Sequence, residues 1–376
     1  MSSDKLQIFY TGATGYIGGA VLQLILQHPK ASTFAITALV RDPAKAQLLE
    51  SKFGVKSVVG SLQGFDKLAE LAENAHIVVH TADATDEAAL KAILAGLKRR
   101  HEKTGDVPHL IHTSGAGVVA DDARGAYLAS HIYSDLDVAA LDALPPTAPA
   151  HAADLLLVKA DEDGYARTYI IKPGYVYGTP SGPLYDAGIA KKTTIMLPWL
   201  ADVFARRGRA GVLGVGKNVW ASVHVHDSTC LRPCTGKESE EKLIRIVDAD
   251  VYYRLFSKIL EDPSRLGHGR EGYYFSENGE CTLYDMCKAV GEALVAVGVA
   301  TEAEPNILSP EECDKYFGKY GALEAVKMFF ANVRCRADRA RRDLGWAPTH
   351  TPDEVLKTAR EIVDAVVEKQ GLKAKA

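Results

Sequence analysis

Between an apolar run, Leu6-Gln-Ile-Phe-Tyr-Thr11, and a helical stretch that starts at Tyr16 stands Gly12-Ala-Thr14-Gly15-Tyr16-Ile17-Gly18, with glycines three and three apart. That spacing suits a chain turning sharply from a strand into a helix. Gly12 permits the tight turn, Gly15 presents backbone without a Cβ to a close anionic group, and Gly18 lets the helix pack on the strand. Free N–H groups and the helix dipole then bind phosphate, so the motif predicts a dinucleotide's diphosphate. At the end of the next apolar run, Val40-Arg41-Asp42-Pro43 puts a guanidinium where a carboxylate would hold a ribose 2′-hydroxyl. The planar, permanently charged fork of Arg41 suits a 2′-phosphate, so the expected cofactor is NADP(H). The alternative is NAD(H) with Asp42 on the ribose, or Asp42 as the cap of a helix starting at Pro43.

The elements that must position these residues alternate as in βαβ units. Apolar runs at Leu6–Thr11, Ala35–Val40, Val55–Val59, Ile77–His80, Leu110–Thr113 and Arg167–Lys172 read as strands. Helical stretches fall at Tyr16–Gln27, about Asp66–Glu73, Thr85–Lys103 and Ala152–Asp161. The predicted fold class is α/β, a Rossmann-type doubly wound parallel sheet with a smaller C-terminal α+β substrate domain. The expected boundaries are 1–180 and 181–376, with the chain returning to the nucleotide-binding half near 215–260. A late helical pair is expected at Leu283–Val297 and Pro352–Val367, and the stretch from Ser114 to Ala150 reads as a long irregular segment.

Composition narrows the partners. Of 376 residues, 47% are hydrophobic and 24% charged, which excludes a disordered or fibrous chain. A net charge of −4 does not favour nucleic acid or anionic membrane. The uncharged stretch Leu6–Gln27 is too rich in glycine and glutamine to span a membrane, and no signal-peptide pattern precedes it. The six cysteines lie at 230, 234, 281, 287, 313 and 335 and read as reduced thiols rather than a disulfide framework or a zinc site. No metal is expected at His224-Val-His226-Asp227 either, because alternate residues of a strand share a face for ordinary packing. The expectation is a cytoplasmic protein acting on a small molecule.

The chain resembles the extended branch of the short-chain dehydrogenase/reductase superfamily, which includes the NAD-dependent epimerases and dehydratases. The resemblance rests on the glycines at 12, 15 and 18 and on Val40-Arg-Asp-Pro43, which is similar to NADP-dependent aldehyde and ketone reductases. Ile111-His-Thr-Ser114, Ile171-Lys-Pro-Gly-Tyr-Val-Tyr-Gly178, Val223-His-Val-His-Asp227 and Asp343-Leu-Gly-Trp-Ala-Pro348 extend it over nearly the whole chain. It implies cofactor contacts from Gly12, Thr14, Gly15, Tyr16, Ile17, Gly18, Arg41, Ser61, Leu62, Thr81, Ala82, Thr113, Pro173 and Val176. It also implies that Ser114 polarises a substrate carbonyl, and that a homodimer forms. Trp199, Phe204, Tyr175 and Tyr185 are candidates for an apolar substrate pocket.

One departure stands out. Family members carry a Tyr-x-x-x-Lys pair before the Lys-Pro-Gly strand, the tyrosine moving the proton and the lysine lowering its pKa. Only Tyr284 and Lys288 have that spacing here, and they read as one exposed helical turn. By position the pair should fall near His151 and Leu155. Replacement proton donors are Tyr127 and Tyr133 with His131; Tyr127 and His131 are expected to share a helical face. Five arginines between Arg334 and Arg342 read as a solvated helix paired with acidic neighbours, or as an anion site for a substrate diphosphate. The expected function is NADP(H)-dependent hydride transfer to or from a small aldehyde, ketone or alcohol. The alternatives are a nucleotide-sugar epimerase or dehydratase with retained cofactor, and a catalytically silent NADP(H) sensor of the NmrA-like kind.

Overall fold

The structure is a computed structural model that describes residues 5–226, 251–318 and 328–372. Five strands follow one another with intervening helices: β1 (Leu6–Thr11), β2 (Phe34–Val40), β3 (Lys56–Val59), β4 (Ile77–His80) and β5 (His109–Thr113). The helices between them are α1 (Tyr16–Leu26), α2 (Pro43–Phe53), α3 (Phe65–Glu73) and α4 (Glu87–Thr104). The strands Arg167–Pro173 and Tyr273–Ser276 complete a seven-stranded sheet, every pair parallel. Its order is Tyr273–Ser276, Arg167–Pro173, β5, β4, β1, β2, β3.

The apolar runs form strands because helices cover both faces: all four residues of β4 and the last four of β1 are buried. Boundaries agree with the periodicity to within two residues, except where the helix expected over Pro352–Val367 divides at Thr358 into Asp353–Lys357 and Ala359–Gln370. The strand Tyr273–Ser276 was not anticipated.

The chain moves outward from β1 through β2 to β3, then crosses to β4 on the other side. The crevice beyond the C-terminal ends of β1 and β4 is therefore the switch point where α/β sheets bind ligands. The C-terminal part closes it. Strand Val219–His224 joins Tyr175–Tyr177 and Glu280–Thr282 in a second, three-stranded sheet, and helices Met196–Arg207, Leu283–Ala296 and Ala359–Gln370 pack together beside it. No described helix is long and apolar enough to cross a membrane.

Candidate functional site

The glycine turn divides its work as the spacing predicts. Gly12 has φ +83°, and a Cβ there would lie 2.6 Å from the Thr81 backbone. A Cβ on Gly18 would lie 2.2 Å from the Gly12 carbonyl oxygen. A Cβ on Gly15 would come no closer than 3.0 Å to anything, so this glycine faces the crevice. Gly15 precedes α1, and no side chain caps the helix. The first-turn N–H groups are left for a ligand, which is the arrangement a diphosphate needs.

Two pockets meet at Gly15 and Thr81. The first, about 350 Å³, is lined by Gly12, Thr14, Arg41, Ser61, Leu62, Ala82, Asp83, Asp86 and Lys191 among others. The second, about 470 Å³, is lined by Tyr16, Ile17, Gly18, Ser114, Pro173 and Val176, and by an apolar wall of Val118, Ile195, Met196, Trp220, Met328 and Phe329. Together they gather all the expected cofactor residues except Thr113, which is buried behind the cleft with its hydroxyl unpartnered. The residues present therefore fit a dinucleotide, with adenosine in the first pocket and nicotinamide in the second.

Arg41 and Asp42 part company. The Asp42 carboxylate accepts from Ala44 N at 2.9 Å and Lys45 N at 3.3 Å, capping α2 ahead of Pro43. It does not line the pocket. Arg41 does, exposed and without an ion pair among the described residues.

Ser114 follows β5, 6% exposed, with its N–H donated to the Ile171 carbonyl at 2.8 Å and its Oγ unpartnered. A buried hydroxyl left free in a cleft is available to a substrate oxygen. The Tyr175 hydroxyl, equally buried, belongs to the same cleft; burial pushes its pKa up. Tyr16 lines the cleft too, but its hydroxyl donates to the Gly178 carbonyl at 2.6 Å. No lysine, arginine, histidine, aspartate or glutamate lines this second pocket among the described residues.

The other candidates fall elsewhere. Residues 127–132 form no helix, so Tyr127 and His131 share no helical face. This segment is held instead by long-range contacts, such as Asn332 Nδ2 donating to the Tyr127 carbonyl at 3.1 Å. The Tyr127 ring is half exposed, and nearby Asp121 raises its pKa, the reverse of what a phenolate requires. His131 and Tyr133 stack edge-on at 4.3 Å and line a neighbouring pocket of about 440 Å³, which shares Val118 and Pro149 with the nicotinamide pocket. The positions expected for the missing dyad differ as well. Leu155 is exposed and His151 is buried, its pKa lowered by burial and by Lys172. Pro149 and Ala150 face the cleft instead, Ala150 in the left-handed region at φ +61°. Tyr284 and Lys288 both bond Glu304 on the surface.

The arginine run is internally engaged. Arg334 makes a fork on Glu280 with both bonds at 2.8 Å, Arg339 is buried against Glu271 and the Asp135 carbonyl, Arg341 binds Glu277 and Arg342 binds Asp343. Arg336 lies 3.8 Å from Asp338. Only Asp338–Leu344 is helical, and Arg339 is buried rather than solvated. Trp199 and Phe204 are core residues, Trp199 packing on Phe329, and the Tyr185 hydroxyl donates to the Tyr16 carbonyl. The four described cysteines are buried and free; Cys230, Cys234 and Asp227 lie outside the described residues. His224, His350 and Glu354 cluster, and His224 Nδ1 accepts the His226 N–H at 3.1 Å.

Sequence reading missed the apolar wall and Lys191. Trp220 and Phe329 lie far along the chain from the glycine motif and carry no local signal.

Comparison with known proteins agrees with this geometry. Residues 12–145 match the family model described as NAD(P)H-binding. Over 96% of its length the chain superposes on all of the UDP-glucose 4-epimerase of Thermotoga maritima, with a TM-score of 0.59 at 14% identity. The chain shares the fold of that epimerase. A dTDP-glucose 4,6-dehydratase from Bacillus anthracis, solved with NAD, gives a TM-score of 0.58 at 15% identity over 96% of this chain and 97% of that one. By sequence, the chain is 29% identical to a protein of Acremonium sp. named oxidase ucsJ, over 97% of this chain and 99% of that one. The stretch matched by the NAD(P)H-binding family model begins at Gly12 and includes Thr81, both of which line the crevice described above.

Proposed function

We propose that the protein is an NADP(H)-dependent oxidoreductase that transfers hydride to or from the carbonyl or alcohol carbon of an apolar, uncharged substrate. The observation that carries this reading is the Ser114 hydroxyl, buried and unpartnered in a largely apolar cleft that no charged side chain lines among the described residues. When bound, the nicotinamide supplies or accepts the hydride. The uncapped N–H groups of the first turn of α1, at Tyr16 and Ile17, hold the diphosphate, Gly15 giving it room to approach, and Arg41 holds the 2′-phosphate. Pro173 and Val176 flank the nicotinamide. The Ser114 hydroxyl donates to the substrate oxygen as negative charge develops there. Tyr133, in contact with His131 next to the cleft, is the proton donor we propose; Tyr127, exposed and with its pKa raised, is the weaker of the two. The name oxidase carried by the Acremonium protein is consistent with redox chemistry on this scaffold.

The epimerase or dehydratase alternative draws support from the overall likeness to nucleotide-sugar enzymes. Against it, the five arginines are committed to acidic partners within the chain, and no charged side chain lines the nicotinamide pocket among the described residues. The sensor alternative is favoured by one observation, the absence of a Tyr-x-x-x-Lys pair at the cleft.

The test is NADPH oxidation against a panel of apolar aldehydes and ketones, with NADH, a nucleotide sugar and the Ser114→Ala variant in parallel. NADPH-dependent turnover that falls in the variant supports the proposal. Tight retention of cofactor with turnover of the nucleotide sugar would overturn it in favour of epimerisation, and cofactor binding with no turnover of any carbonyl would favour the sensor.

A further inference from the structure

Residues 178–191 cross the start of α1 and are fastened at three points to it and at one to the glycine turn before it. The Tyr16 hydroxyl donates to the Gly178 carbonyl at 2.6 Å, and Gln23 Nε2 donates to the Ser181 carbonyl at 2.9 Å. The Tyr185 hydroxyl donates to the Tyr16 carbonyl at 2.6 Å, and the Lys191 N–H donates to the Thr14 carbonyl at 3.2 Å. Gly19 makes the close approach possible, since a Cβ there would lie 2.4 Å from the Ala190 Cβ. This strap carries Lys191 to the rim of the adenosine-side pocket, beside Thr14 and Gly15. Its ammonium is exposed and has no hydrogen bond or ion pair among the described residues. Lys192, its neighbour, does not line the pocket.

We infer that Lys191 is a cofactor-clamping residue, held by the strap over the glycine turn so that its ammonium pairs with the cofactor's diphosphate. The inference rests on the cofactor reading given above. Anchorage through Thr14 places the lysine at the glycine turn, where the diphosphate crosses; Arg41, at the end of β2, attends the 2′-phosphate. A flexible stem with a compact point charge suits an anion whose orientation the backbone N–H groups already fix. Lys191 therefore adds affinity common to both dinucleotides and no preference between them.

Direct titration of NADPH and of NADH, followed by their own fluorescence, tests this with wild type, Lys191→Met, Lys191→Arg and Lys192→Met. Lys191→Met is expected to raise Kd for both cofactors by the same factor, about tenfold for one charge-assisted contact. It should also flatten the salt dependence of binding while leaving thermal stability unchanged. Lys191→Arg should keep most of the affinity, and Lys192→Met all of it. Wild-type affinity in Lys191→Met overturns the inference. A loss confined to NADPH also overturns it, because the lysine would then serve the 2′-phosphate. If wild type binds neither dinucleotide, the cofactor reading itself fails, and the inference with it.

Discussion

Lys172 and Asp154 form an ion pair that is almost wholly removed from solvent, the lysine 1% and the aspartate 0% exposed. It ties the strand Arg167–Pro173, whose last residue lines the nicotinamide pocket, to the helix His151–Glu162, whose start lies at the cleft's edge. The ammonium also sits 4.9 Å from the centre of the Tyr273 ring, so the outermost strand of the main sheet joins the arrangement. Removing one member strands a buried charge. Lys172→Met or Asp154→Leu alone is expected to cost about 3–5 kcal/mol in denaturant unfolding, and the double variant much less. Equal losses in single and double variants would argue against the pairing.

Ser114 is expected to act on rate. Ser114→Ala should lower kcat by about 10²-fold, the usual effect of deleting one donor to a developing oxyanion, with NADPH affinity unchanged. A variant with wild-type kcat would remove the hydroxyl from the mechanism.

Arg41 should govern cofactor choice. Because Asp42 is committed to capping α2, Arg41→Ala is expected to weaken NADPH binding roughly tenfold or more and leave NADH nearly unaffected. Parallel Kd measurements for the two cofactors decide it; equal losses would reassign the arginine to the diphosphate.

Acid should unfold the protein through its buried histidines. His80 and His112 stack at 5.1 Å at the ends of β4 and β5, with His80 Nδ1 2.5 Å from Thr11 Oγ1. Burial lowers His80 to about 4 and His112 well below its usual value. Both are neutral when folded, whereas an unfolded histidine protonates near 6.5. The unfolded chain therefore binds more protons as pH falls below about 6.5, and stability declines from there toward pH 4 by up to about 1.4 kcal/mol per pH unit for each histidine. His112→Phe keeps an aromatic ring beside His80 and should flatten that decline, as read by urea unfolding at pH 7.5 and 5.5. An unchanged slope would place the acid sensitivity elsewhere.

How much of this was legible beforehand follows from the range of the interactions involved. The glycine turn, strands β1 to β5 and the Asp42 cap are local: hydrophobic period, allowed φ and side-chain capping act over a few residues, so the sequence by itself determined a dinucleotide-binding α/β half and its cofactor crevice. The positions of Ser114 and Arg41 at the two pockets followed from the same local order, because each sits at the end of such a strand. The strand Tyr273–Ser276 was not, because four buried residues acquire their role only by pairing with Arg167–Pro173 about a hundred positions earlier. The supposed helix through Tyr127 and His131 failed for a similar reason: Asn332 and Arg334, distant in sequence, satisfy that backbone where a helix would have done so locally. Tertiary structure alone decided that the arginine run is spent on internal carboxylates, that Trp220, Met328 and Phe329 make the cleft apolar, and that Lys191 reaches the glycine turn. Each of these depends on which distant segments meet, and solvent exposure and charge pairing are fixed only when they do.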